Sequence, residues 1–216
     1  DYGKLLFAFE AGEGEGVDSQ LKTFGSVNAD ATGSDSTVSL VEGWYEQYAG
    51  PVVLRFGKID PTGLIDTNEY ANDETSQFLG GIFRNNPVTA FPDNGAGIRL
   101  AAVPDDLFEI ESLVMDGDGG WDQLMDDAFY ALQVNVKPGL LGRSGNYRFY
   151  GWGSNRDHTQ WNNDQRTKEK NYGFGMSFDQ AVSDDLGIFF RYGWQNPKVY
   201  LNDEDFSLEQ SYSLGM

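Results

Sequence analysis

Between residues 172 and 194 the chain reads YGFGMSFDQAVSDDLGIFFRYGW, two runs of alternating character around a short polar turn. One set of alternate positions holds Tyr172, Phe174, Met176 and Phe178, then Leu186, Ile188, Phe190, Tyr192 and Trp194. The other holds Gly173, Gly175, Ser177 and Asp179, then Gly187, Phe189, Arg191 and Gly193. Period two is that of a β-strand whose two faces meet different surroundings. The same patterning predicts about ten strands, near 4–11, 38–48, 51–58, 96–103, 107–114, 128–136, 146–154, 172–179, 186–194 and 208–216. A helix start signal occurs only at 70–84, with Asn72 or Asp73 as N-cap, and Gly80 and Gly81 limit its extent.

Connection lengths then order these strands. Long polar segments (12–37, 59–95, 116–127, 155–171, 195–207) alternate with short ones (48–51, 104–106, 180–185), the 137–145 turn being intermediate. An up-and-down antiparallel transmembrane β-barrel has this rhythm, with short turns on one rim and long loops on the other, whereas the crossovers of a Greek-key sandwich fall irregularly. Volume argues the same way. The set Gly173, Gly175, Ser177, Gly187, Arg191, Gly193, Glu209, Ser211, Ser213 and Gly215 cannot fill a core to native density, so the apolar face is expected to look outward to lipid and the polar face to line water. In 38–48 the facing stays open: Val38, Leu40, Trp44 and Tyr48 compete with Val41 and Tyr45, and a bulge would switch between them. Trp152, Tyr172 and Trp194, at strand ends beside long loops, fit an interfacial girdle.

Composition narrows the functional classes. The 216 residues carry 34 Asp plus Glu against 15 Lys plus Arg, a net charge of −19, which speaks against nucleic acid and anionic membrane surfaces as partners. No apolar run reaches the roughly 18 residues of a transmembrane helix. Cysteine is absent, so thiolate metal sites and thiol nucleophiles are excluded. The acidic DGDGGWD at 116–122 lacks an EF-hand's closing Glu, His158 is the sole histidine, and GRSG at 142–145 lacks nucleophile-elbow spacing. No cofactor, metal or catalysed reaction is expected.

Residues 57–95 form the densest polar segment, GKIDPTGLIDTNEYANDETSQFLGGIFRNNPVTAFPDNG. A loop this long inside one domain is usually functional or disordered, and its aromatic and aliphatic content argues against disorder. Amides, carboxylates and Arg beside aromatic rings suit sugar recognition, because hydroxyls need polar partners while pyranose C–H faces stack on rings. A loop that only packs against the barrel wall stays open beside that reading. Arg55, Lys58, Asp66, Asn68, Glu69, Asn72, Asp73, Gln77 and Arg84 are the candidate pore-lining or loop-anchoring residues. Two other classes also stay open: a soluble secreted β-sandwich that binds carbohydrate, and a glycoside hydrolase using a carboxylate pair such as Glu109 and Glu111.

FGKIDPTGLIDTNEYANDETSQFLGGIFRNNP at 56–87, NYRFYGW at 146–152 and GFGMSFDQAVSDDLGIFFRYGW at 173–194 resemble, in that order, blocks of the carbohydrate-selective porins (OprB type) of bacterial outer membranes. The resemblance implies a sixteen-stranded barrel in the outer membrane that passes small sugars passively, with 59–95 folded inward as a constriction loop. About ten strands are visible, and the chain ends at Met216 without a terminal aromatic residue. A single porin domain over 1–216, incomplete at its C-terminus, is therefore expected.

Overall fold

The computed structural model describes residues 2–12, 27, 38–119, 127–160, 168–200 and 208–216. Among the described residues, eleven strands form one antiparallel sheet: β1 (Gly3–Ala11), β2 (Val38–Ala49), β3 (Val52–Ile59), β4 (Gly95–Ala102), β5 (Phe108–Asp116), β6 (Ala128–Val136), β7 (Gly145–Gln160), β8 (Lys168–Ala181), β9 (Gly187–Gln195), β10 (Val199–Tyr200) and β11 (Gln210–Gly215). Each strand from β1 to β9 pairs with its sequence neighbour, β11 pairs with β9, and β10 lies off this path beside β7. Such a meander puts the connections after β1, β3, β5, β7 and β9 at one end of the sheet, the loop side. Those after β2, β4, β6 and β8 lie at the other, the turn side. The tightest turn is Gly50–Pro51, where Gly50 takes φ 61, a left-handed conformation common in two-residue hairpins.

Period two is kept on both faces. Leu54, Phe56, Ile98, Leu100, Ile110, Val114, Leu132, Phe149, Phe174 and Ile188 stand exposed on one face. Glu46, Glu111, Gln133, Arg148, Ser177, Asp179 and Arg191 are buried on the other. Burial of the polar residues rather than the apolar ones is the inverse of a soluble half-buried sheet. The facing left open in β2 is settled by a bulge: Glu42 pairs with Ala8 but Leu40 with Phe9, so Val41 is the extra residue. Trp44 and Glu46 thereby turn to the polar face, and Val38 and Leu40 stay on the apolar one with Phe9.

Four expectations need correction. The helix at 70–84 reduces to α1 (Gly81–Arg84). Asp73 does cap, accepting from the Thr75 N–H at 2.7 Å and the Ser76 N–H at 2.9 Å, and the Gln77 N–H reaches the Asp73 carbonyl at 3.1 Å. The turn stops there because Phe78 is drawn onto Phe189, with ring centroids 5.4 Å apart, and two glycines follow. Segments 155–171 and 195–207 are not open loops throughout. β7 and β8 extend to Gln160 and Lys168 past a bulge between Ser154 and Asp157, and β10 pairs with Thr159 and Gln160. Trp152 leaves the proposed girdle, being buried on the polar face in a stack with Phe129 at 6.0 Å, while Tyr172 and Trp194 remain a pair on the apolar face at 6.0 Å. Finally, the polar face is not simply a water-lined wall, because residues 60–94 lie on it.

Candidate functional site

Residues 60–94 leave β3 on the loop side, descend the polar face and return to β4. The descent is read from successive contacts. Leu64 and Ile65 are buried with Leu113, Met115 and Phe129. Gln133 of β6 brackets this stretch, its Nε2 donating to the Leu64 carbonyl at 3.2 Å and its Oε1 accepting the Asp66 N–H at 2.9 Å. Asn68 donates to Ser177 Oγ and the Phe178 carbonyl, both at 3.1 Å, and Ser177 Oγ donates to the Thr67 carbonyl at 2.8 Å. The Glu69 N–H reaches Asp179 at 3.2 Å. Asp179 lies two residues from the end of β8 at Ala181, and Gly187, which opens β9, sits under the ring of Tyr70. The loop thus spans nearly the full height of the polar face. On the return limb Asn86 bonds Ser211 of β11, Thr89 meets Tyr150 of β7 at 2.9 Å, and Phe91 packs on Phe129 at 6.0 Å.

The small wall residues now have a reason. A Cβ at Gly187 would overlap the Tyr70 ring, one at Gly193 would overlap the Asn86 amide, and one at Gly175 would overlap Tyr150. They are sockets for the loop and for its supporting side chains, and the volume missing from the wall is supplied by residues 60–94.

Arg191 joins the limbs. Its Nη1 donates to the Phe83 carbonyl at 2.6 Å, its Nη2 to the Asp66 carbonyl at 2.8 Å and to Asn72 Oδ1 at 3.3 Å, and its Nε lies 3.3 Å from Asp66 Oδ2. The guanidinium's fixed fork lets one side chain hold three backbone segments together. Asp66 has φ 62, and its Oδ2 also accepts the Asn86 N–H at 2.6 Å. Complete burial pushes the Asp66 carboxyl up to about 6, with Arg191 and the Asn86 N–H opposing the rise.

The sequence candidates therefore divide. Asp66, Asn68 and Asn72 anchor the loop to β6, β8 and β9. Gln77 ties the loop to itself, accepting from the Asn72 and Asp73 N–H groups at 2.6 and 3.0 Å and donating to the Glu69 carbonyl at 2.7 Å. Arg84 reaches Glu74 at 3.3 Å and Thr62 Oγ1 at 3.2 Å. Asp73 caps its own turn, and the hydroxyl and N–H of Thr75 with the N–H of Ser76 hold its carboxyl at about 2. Glu69, Asp73 and Gln77 are exposed. Lys58 is not brought to this group: it follows the parity of Phe56 on the apolar face and donates to the Leu40 carbonyl at 2.9 Å. Arg55 belongs to a second assembly, stacked 3.8 Å over Trp44 and 2.7 Å from Glu46. Arg191, Gln133, Ser177 and Asp179 were not among the sequence candidates; the one available signal was an arginine at an inward strand position among glycines.

That second assembly crosses the turn-side half of the polar face. Glu46 meets Arg55 and Arg99, Arg99 meets Glu111 and Glu109, Glu109 meets Lys137 at 2.8 Å, and Arg148 meets Asp179 at 2.6 Å. Four cations (Arg55, Arg99, Lys137, Arg148) face four carboxylates (Glu46, Glu109, Glu111, Asp179), so this belt is balanced inside a chain of net charge −19.

An apolar face exposed, a polar face carrying a deep inward loop, and an up-and-down antiparallel order define a porin-like β-barrel fold, of which this sheet is an open arc. The structure of Pseudomonas putida OprB at high pH is similar to it with a TM-score of 0.73, covering 91% of this chain and 56% of that one at 14% sequence identity. A protein of Aquifex aeolicus (strain VF5) described as uncharacterized is 30% identical over 161 residues, 72% of this chain and 44% of its own length. The chain thus spans about half the length of the proteins it matches. No family model matches the chain.

Proposed function

We propose that the chain is part of a bacterial outer-membrane porin through which small neutral solutes, sugars foremost, diffuse passively, and that residues 59–95 form its constriction. The observation that carries this reading is the clamping of that segment, by Arg191 and the amides of Asn68 and Gln133, onto the face a barrel turns inward. A plain connection has no need of a buried guanidinium or of wall glycines cut to its side chains. Neutral solutes are favoured by the balanced belt, which offers a passing ion little net field, and by the amide and carboxylate groups that the loop leaves exposed at Glu69, Asp73 and Gln77. The three sequence blocks that resemble carbohydrate-selective porins support sugars over other neutral solutes.

Swelling of liposomes containing the complete polypeptide tests this. Entry of a monosaccharide should exceed that of a trisaccharide, and both should exceed a protein-free control. Equal, protein-independent rates for all sugars would refute the reading.

A further inference from the structure

Asp118, from the acidic stretch DGDGGWD at 116–122, and His158, the sole histidine, take no part in the constriction, yet they line one cavity on the loop side. Its volume of about 510 Å³ is that of a small-molecule site. The walls come from the return limb of the loop, from the end of β5, from Phe129 of β6 and from β7 past its bulge, strands in the middle of the sheet order. Gly119, at φ 78, brings the turn after β5 against Asp93, whose Cβ a side chain there would meet at 3.0 Å, so Asp93 and Asp118 share one wall. Phe91, half-buried and 6.0 Å from Phe129 between ring centroids, adds an apolar flank.

The cavity is negative. Asp93, Asp118 and Asp157 line it against Arg156, and Asp157 lies 2.7 Å from Lys170. His158 adds no charge at neutral pH: burial first, then Arg156 and Lys170, hold its imidazole below the usual range, with Asp157 and Asp127 opposing. Its Nε2 has no hydrogen-bond partner among the described residues. Among those residues no three carboxylate or imidazole groups stand close enough to hold a metal ion, so the negative charge is spread around a volume of organic size. The same sign surrounds it. The other connections at the loop side, 12–37, 117–127, 161–167 and 196–209, contain 14 Asp and Glu against 3 Lys and Arg, while those at the turn side, 50–51, 103–107, 137–144 and 182–186, contain 4 against 2.

We propose that this cavity binds a protonated amino sugar, its ammonium held by Asp93 and Asp118, its C–H face laid on Phe91 and its hydroxyls bonded to His158. This rests on the porin reading and goes beyond it, since the balanced belt on the turn side offers no preference for charge whereas the loop side does. A neutral sugar makes the same ring contact but gains nothing from the negative field, and an inorganic cation leaves the ring face unused.

The test titrates glucosamine, N-acetylglucosamine and glucose into the complete protein in detergent, with binding read by saturation-transfer NMR. Glucosamine should bind about fivefold more tightly than its uncharged N-acetyl derivative, the scale of a partly exposed ion pair. Asp93→Asn should remove that preference. Arg156→Gln, at an exposed position, should strengthen it, and keeps the test in force if the Asp93 variant does not fold. Equal affinities for glucosamine and N-acetylglucosamine would overturn the proposal, as would weaker glucosamine binding in Arg156→Gln. Liposome swelling with the same sugars separates the two claims: entry of glucose without any preference for the amine in binding removes the site and leaves the porin, whereas no entry of any sugar removes the porin reading itself.

Discussion

Arg191 is a fully buried guanidinium whose carboxylate partner belongs to the loop, so its removal strands a charge at a defined place. Arg191→Leu should destabilise the seated loop by about 3–5 kcal/mol, the range for breaking one half of a buried pair. Limited proteolysis within 60–94 should accelerate, and the double variant Asp66→Leu/Arg191→Leu should recover much of the loss. Equal proteolysis of wild type and the single variant would remove Arg191 from its role as clamp. Asp66 adds a pH dependence of definite sign. Its carboxyl lies near 6 when folded, above the usual value near 3.9. The folded state therefore holds the proton more tightly. This contribution is fully present below about pH 4 and is lost as pH rises through 6, an effect on the order of 3 kcal/mol at most. Hydrogen exchange in 60–94, corrected for its intrinsic pH dependence, should be slower at pH 5 than at pH 8. Acid-induced loosening in that window would contradict the assignment.

Strands and loop make separable demands. Phe174 lies on the exposed apolar face near mid-strand, and Lys there should disfavour membrane insertion by about 2–4 kcal/mol, whereas Lys at Ile188, the second residue of β9, should cost less. Gly187→Val should leave insertion and heat-modifiable migration intact, yet unseat the Tyr70 end of the loop, because a Cβ there meets that ring while the backbone itself is ordinary. Tyr70→Ala in the same protein should restore the seating. Insertion failure of Gly187→Val with normal insertion of Phe174→Lys would reverse the facing of the sheet. The strands were legible because the two faces of the sheet differ in polarity at residues one position apart, and all ten strands read from the sequence overlap observed ones. The hairpin beyond Ser154 was not, since Asn155 to His158 and Lys168 to Lys170 are polar at every position and lack the alternation that marks a strand. At the site, the anchoring polar residues of the loop were legible by their density, whereas Ser177, Gln133 and Gly187 were not. Serine, glutamine and glycine on a barrel's inner face look the same whether they meet water or a folded loop.

At the scale of the whole molecule the question is whether 60–94 narrows a conducting lumen. Net charge alone suggests a cation-selective pore, but the inward belt has equal numbers of each sign, so the reversal potential in a salt gradient should show at most weak cation selectivity. Replacing Arg99, which joins Glu46 to Glu111, by Gln should shift that potential towards cations by leaving the belt net negative. The most direct measurement compares single-channel conductance of the complete protein in planar bilayers with that of Arg191→Leu, while a glucose oligomer is titrated. The wild type should conduct less than the variant and should lose current as sugar is added, and the variant should bind the blocker more weakly. Identical conductance in the two proteins, with open-channel current that no sugar reduces, would take the loop out of the pore and the sugar-selective reading with it.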